Sequence, residues 1–353
     1  MADQVLQADL VLEGGGVKGI ALVGAVSVLQ EAGYSFPRVA GTSAGSIVGA
    51  LVASGMPAEQ MLEVMRTTDY SKFQDGTILD RLGPLGQGLS VLFQSGIYEG
   101  EYLKDYLRRL LPDDMETFAG LRLPEDPNSD LPEERRYKLV VMASDVSRHL
   151  LVRFPWDYRD YGLVPDEQSV VDAVRASMSI PFFFEPTHLD AIVPGEDGKT
   201  RRERCTLVDG GMLSNFPVGV FDRTDGRTPR WPTFGIKLSG KPGAPRPPRL
   251  VHGPLSLTFG MLATLIGWSD RGHVQDPLIC KRTIFVETFG ISAVSFDLGQ
   301  ADQQRLYDSG RRAATEFLET WDFGEYKEVR ARELAARADA AQADQANTGP
   351  TAG

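Results

Sequence analysis

Ser43 stands at the centre of Gly41-Thr42-Ser43-Ala44-Gly45, a G-x-S-x-G pentapeptide. The spacing suits a nucleophilic hydroxyl. A serine on a sharp strand-to-helix turn holds its Oγ above the sheet edge, and the flanking glycines remove side chains that would collide there. A helix starting at Ala44 would aim the positive end of its dipole at charge developing beside Ser43. Alone, the pentapeptide is equally an ordinary turn among small residues. A second stretch, Gly14-Gly15-Gly16-Val17-Lys18-Gly19, has two chemical readings. Its backbone N–H groups could face a developing alkoxide as an oxyanion hole. It also matches the G-x-G-x-x-G fingerprint of a dinucleotide site, which wants an acidic residue roughly 20 residues further on. A third is Asp209-Gly210-Gly211, where an aspartate with two following glycines can approach another loop closely or simply form a turn.

A Ser–Asp–His arrangement would need a histidine after Asp209, and only His252 and His273 qualify. His252 lies in the proline-rich stretch Gly243 to Pro254, and His273 ends an apolar helical pattern, so neither follows a strand. A dyad of Ser43 and Asp209 is the simpler reading. An unperturbed aspartate with a pKa near 3.9 is a poor base at neutral pH. Burial beside the glycine loop is therefore expected to raise that of Asp209. The histidines are scattered, and the two cysteines, Cys205 and Cys280, form no C-x-x-C pair. No metal and no cofactor is expected, and the cysteines read as two reduced thiols.

The elements that must position these residues follow from the hydrophobic pattern. Ala8 to Leu12 reads as a strand that stops at glycines, Gly19 to Ala32 as a helix ending at Gly33, and Val39-Ala40 as a second strand. Ala44 to Ser54 reads as a helix whose small residues let it pack close to a sheet. Strand, glycine loop, helix, strand, turn, helix is a βαβα opening. It predicts a three-layer α/β/α sandwich with a mostly parallel central sheet. The second strand ends in a serine turn, and Glu31 falls inside the helix, so the oxyanion reading of the Gly14–Gly19 loop outweighs the nucleotide one.

Further strands are expected at Lys138 to Ala143, Cys205 to Val208, Thr233 to Leu238 and Thr283 to Glu287. Further helices are expected at Ala58 to Thr67, Glu101 to Leu111, Gln168 to Met178, Ser256 to Val274 and Ala301 to Thr320. Gly83 to Gly88, Pro112 to Arg136 and Ile192 to Arg204 read as irregular excursions. The pattern gives one domain over 1–324 and an Ala/Gln/Asp-rich tail over 325–353, partly disordered, chiefly in its last dozen or so residues.

Bulk properties narrow the function further. The net charge of −11 gives no electrostatic reason to bind nucleic acid. The N-terminus has neither the basic nor the apolar region of a signal peptide. The longest apolar stretch, Leu255 to Trp268, is shorter than the ~18–20 residues a membrane span needs. A cytoplasmic protein able to sit peripherally at a membrane is expected. Leu79 to Phe93, Ile180 to Phe184 and Leu255 to Trp268 are candidates either for a lipid groove or for plain core.

In the order GGGVKG, GTSAG, DGG, the three motifs resemble those of the patatin-like phospholipase family, the patatin and cytosolic phospholipase A2-type acyl hydrolases. Ala176-Ser177-Met178-Ser179-Ile180-Pro181-Phe182-Phe183 and Phe296-Asp297-Leu298 extend the likeness, which covers about residues 8 to 320. The resemblance implies a Ser43–Asp209 dyad and an oxyanion hole from Gly14, Gly15 and Gly16. It assigns supporting positions to Lys18, Gly19, Gly41, Ala44, Gly45, Gly210 and Gly211. It implies a lipid or membrane-surface substrate, a phospholipid, lysophospholipid or other acyl ester, and leaves an acyltransferase open because only the acceptor would differ. Lys18 would either fix the loop or meet a lipid phosphate.

Overall fold

The computed structural model describes residues 6–67, 97–127, 129–181, 183–195, 199–239, 257, 260–261, 264–265, 267, 276–293, 295 and 298–347. The strands are β1 Leu6–Gln7, β2 Asp9–Leu12, β3 Tyr34–Ser35, β4 Val39–Thr42, β5 Leu139–Asp145, β6 Leu150–Phe154, β7 Thr187–Pro194, β8 Thr200–Asp209, β9 Thr233–Lys237 and β10 Thr283–Phe285. The helices are α1 Gly19–Glu31, α2 Ala44–Ala53, α3 Ala58–Thr67, α4 Ile97–Leu110, α5 Val170–Ser177, α6 Pro277–Lys281, α7 Gln300–Thr320 and α8 Phe323–Asn347. Together they form a three-layer α/β/α sandwich, as the βαβα opening predicts. Its central sheet runs β10-β9-β2-β4-β5-β8-β7, with β6 also paired to β5. β10, β9, β2, β4 and β5 are mutually parallel. Every residue of β2, β4, β5 and β9 is buried, as parallel strands covered on both faces must be.

α1 is buried without a break from Gly19 to Leu29, which its all-round apolar sequence permits. Its closest helical neighbour is α7, 280 residues later. A side chain on Gly24 would run into the Tyr307 carbonyl oxygen, and one on Gly310 into that of Ala21. The two helices thus meet backbone to backbone. Arg311 of α7 adds hydrogen bonds to Glu31 and to Ser27 Oγ, the latter at 2.7 Å. Below this crossing Phe234 of β9 meets Phe317 and Trp321 edge-on, with ring centroids 5.1 and 5.0 Å away.

One expectation needs correction, and two elements go beyond what the sequence predicts. The stretch Ile192 to Arg204 is not irregular but the tip of the β7–β8 hairpin, in register from Thr187↔Leu207 to Pro194↔Thr200. Arg201, Arg202, Glu203 and Arg204 line that tip and leave no apolar alternation to read. β6 was likewise unforeseen. The tail from residue 325 is helical as far as Asn347. Its Ala, Glu, Lys and Arg content favours helix, and Arg337 Nη2 anchors it on Asp276 at 2.8 Å. The excursion Pro112 to Arg136 holds three short 3-10 turns.

Gly83 to Gly88, Leu79 to Phe93, His252, His273, Phe182 and Phe296-Asp297 lie outside the described residues, as does most of Ser256 to Val274. No helix among the described residues is long and apolar enough to cross a membrane. Cys205 and Cys280 are free thiols.

Candidate active site

β5 sets the register that assembles the site. Leu139–Met142 pair in parallel with Val39–Thr42 of β4. Val141–Asp145 pair with β6 along the opposite edge. Ala143–Asp145 pair again with Asp209, Val208 and Leu207 of β8. Because β6 already occupies one edge of Ala143–Asp145, β8 must take the edge that β4 leaves after Thr42. β4 and β8 therefore run toward each other in one lane and stop on adjacent rungs of β5, Met142 and Ala143. Ser43 and Asp209, far apart in the chain, meet at that junction.

Ser43 has φ 52° and ψ −129°, a left-handed conformation that is strained for a residue with a side chain. The neighbouring backbones hold it there. A side chain on Gly41 would strike the Gly45 carbonyl, and one on Gly45 would strike the carbonyls of Leu12 and Glu13. α2 thus lies almost on top of β2 and β4. Ser43 is its N-terminal flanking residue, with Ala44 opening the helix, so the positive end of the helix dipole is at the hydroxyl. The Ser43 side chain is only 4% exposed. Its N–H donates to Ser177 Oγ at 2.9 Å, and its Oγ lies 3.8 Å from Met178 Sδ. Ser46 closes the turn by donating from its hydroxyl to the Ser43 carbonyl at 2.6 Å.

Asp209 ends β8 and caps the 3-10 turn Gly210–Met212, accepting from Gly211 N–H at 2.7 Å. Its own N–H donates to the Ser179 carbonyl at 2.9 Å. A side chain on Gly210 would collide with the Met142 carbonyl, so this glycine lets the strand end press against β5. Burial pushes the Asp209 carboxyl up from 3.8 to about 6, opposed by hydrogen bonding from the Ser43 hydroxyl and from Gly211 N–H. The rise anticipated from the sequence is present, and burial is its cause.

The glycine loop abuts both residues. A side chain on Gly14 would meet Asn215 Oδ1 first and Ser43 Cβ next. Gly14 N–H donates to the Asn215 carbonyl at 3.1 Å, so Gly14 does not have a free donor to offer an oxyanion. This corrects the three-donor expectation. Gly15 N–H and Gly16 N–H have no acceptor among the described residues, and Gly16 takes the left-handed φ of 55° that turns the loop. Lys18 is half-buried and its N–H donates to the Gly15 carbonyl. Gly19 lies against Met65 and Ala44. The acid that a dinucleotide site would want after β4 is absent: the strand runs straight into Ser43.

Sequence reasoning missed four participants, Asn215, Glu13, Ser177 and Met178. Asn215 clamps the glycine loop with its side-chain amide as well, donating to the Gly14 carbonyl at 3.1 Å and to Glu13 at 3.4 Å. Glu13 is buried and also holds Lys237 Nζ and Leu238 N–H. No sequence signal marked Asn215. Ser177 and Met178 stood inside the quoted A-S-M-S-I-P segment without a role.

The model of the family described as patatin-like phospholipase matches residues 10–222. The protein YqhO of Bacillus subtilis (strain 168) is 33% identical over 315 residues, spanning 89% of this chain and 99% of its own. The NTE family protein Mb2594 of Mycobacterium bovis is 32% identical over 211 residues, 60% of this chain but only 27% of its own length. VipD from Legionella pneumophila superposes over 89% of this chain and 67% of its own with TM-score 0.49 and 18% identity. With more than half of its length matched by one family model and a full-length relative above 30% identity, the chain belongs to the patatin-like phospholipase family of lipid acyl hydrolases.

Proposed function

We propose that this chain cleaves carboxylic ester bonds of phospholipids or lysophospholipids with Ser43 as nucleophile and Asp209 as its base. The observation that carries the reading is the junction of β4 and β8, where a strained serine meets a buried carboxylate with a pKa near 6. Asp209 accepts the Ser43 proton as Oγ attacks the ester carbonyl. The tetrahedral oxyanion is stabilised by Gly15 N–H and Gly16 N–H and by the N-terminus of α2. As the C–O bond breaks, Asp209 returns the proton to the departing alcohol oxygen, leaving an acyl-enzyme. Water then attacks the acyl carbon, giving a proton to Asp209, and Ser43 leaves reprotonated with release of the fatty acid.

An amphiphilic substrate is supported by Leu257, Met261 and Leu265. They are helical, spaced at i, i+4, i+8, and 53%, 60% and 53% exposed, the pattern of one apolar helix face turned outward. Ile180 and Phe183 are partly buried against the core and Phe184 is within it.

A fluorophosphonate probe should label the wild type and not Ser43→Ala. Asp209→Asn should keep its circular dichroism spectrum and lose nearly all turnover of phosphatidylcholine and lysophosphatidylcholine. Wild-type turnover by Asp209→Asn would end the dyad reading. Product analysis with an added alcohol separates hydrolysis from acyl transfer.

A further inference from the structure

A cavity of about 280 Å³ lies at the opposite edge of the sheet from Ser43. β2, β4, β9 and β10 are parallel, so their N-terminal ends share one edge. Asp9 and Thr233, the first residues of β2 and β9, line the cavity, as do Arg38 just before β4 and Arg282 just before β10. Ser43 and the glycine loop follow the C-terminal ends of β4 and β2. The two sites are therefore separate.

The wall carries seven arginines and four aspartates, a local cation excess in a chain whose net charge is −11. Arg38 pairs with Asp9, Arg282 with Asp222 and Arg230 with Asp126 beside the wall, while Arg223 and Arg227 share Asp130 and Asp225. Arg135 and Arg330 have no carboxylate partner among the described residues. Arg135 lies 5.3 Å over the Trp156 ring, and Arg330 donates to the Arg227 carbonyl at 3.2 Å. Two more donors in this wall, Arg282 Nε and Trp156 Nε1, are buried with no acceptor among the described residues. Both groups can only donate. The wall is short of acceptors and of negative charge together.

A phosphate ester supplies both, and the guanidinium fork matches its oxygens. The cavity is at the small end of ligand sites, which suits a compact oligoanion rather than an acyl chain. The partly exposed pairs of Arg223 and Arg227 are of the kind that contributes little, so these side chains can turn to a ligand at small cost. We propose that this cavity binds a compact phosphate compound carrying two or more negative charges, whether free, nucleotide-borne or a lipid headgroup.

Calorimetry with pyrophosphate and with a nucleoside triphosphate tests the soluble sources. Co-sedimentation of the Ser43→Ala protein with phosphatidylcholine vesicles, with and without phosphatidate, tests the lipid source without hydrolysis. Binding in either arm is expected, with the positive arm naming the source. It should weaken about tenfold or more in Arg135→Ala/Arg330→Ala and decline as salt is raised. Neither arginine has a carboxylate partner among the described residues, and circular dichroism and melting without ligand check that the double variant is folded. If no probe binds more tightly than about 1 mM at low ionic strength, or if the correctly folded double variant binds like wild type, the proposal is overturned.

Discussion

The backbone N–H of Ser43 donates to the hydroxyl of Ser177 at 2.9 Å, so the Ser43 turn is tied to the last residue of α5. The strained φ of Ser43 is thereby held from outside its own loop. The Ser43 amide is also occupied, so in the proposed mechanism oxyanion stabilisation falls to the glycine loop and the N-terminus of α2.

Ser177→Ala removes that acceptor and leaves a buried donor unmade, a cost of about 1–3 kcal/mol. Esterase turnover should fall by about tenfold or more while substrate KM changes little, because the defect lies in nucleophile position. Thermal melting should drop by several degrees. Unchanged kinetics in Ser177→Ala would remove Ser177 from the positioning machinery.

The pH profile follows from Asp209. As the proposed base it must be ionised, and burial lifts its pKa to about 6. kcat/KM should therefore rise with pH through a single limb centred near 6 and level off above about pH 7. A limb near pH 4 would mean that the carboxylate is not the base or is not buried in solution.

The same carboxylate has a stability cost of definite sign. Below its ordinary pKa of 3.8 both folded and unfolded chains hold the proton, and no penalty exists. Between pH 3.8 and about 6 the unfolded chain ionises while the folded chain does not, so stability falls as pH rises, and above about 6 the loss is complete. At about 1.4 kcal/mol per pH unit the full loss is about 3 kcal/mol. Asp209→Asn, whose amide oxygen can still accept from Gly211, should melt higher than wild type at pH 7.5 and level with it near pH 4. Equal melting at both values would contradict the burial penalty.

Asn215→Ala takes away the amide donations to Gly14 and Glu13 but leaves the backbone carbonyl that receives Gly14 N–H. The loop should lose its fixed height beside Ser43. Fluorophosphonate labelling and turnover should slow together by about a hundredfold, the scale of losing one oxyanion donor. Asn215→Asp should not rescue, since it brings a second carboxylate against the buried Glu13.

Much of this arrangement was legible in the residues. β2, α1, β4 and α2 were readable to within a residue or two because each is a short apolar run closed by glycines, and those glycines also carry the chemistry. What the sequence hid was everything decided between strands. The β7–β8 hairpin has charged side chains on its exposed tip, so period-two alternation vanishes there although the ladder is continuous. Asn215 looks like any loop asparagine until the fold brings it beneath Gly14. The occupied N–H of Gly14 is likewise a property of its partner, not of the glycine pattern. Composition alone likewise does not reveal what anchors the tail helix, such as Arg337 on Asp276.

The reciprocal fit of Gly24 and Gly310 bears on how small the folding unit can be. The stretch matched by the family model ends at residue 222, and it contains Ser43, Asp209 and both glycine segments. Cut there, β2 would lose its neighbour β9, and the flank of α1 shaped to receive α7 would be bare. Such a fragment, expressed alone, should aggregate or melt without cooperativity despite holding every residue of the proposed site. The smallest piece expected to stand by itself extends through Thr320.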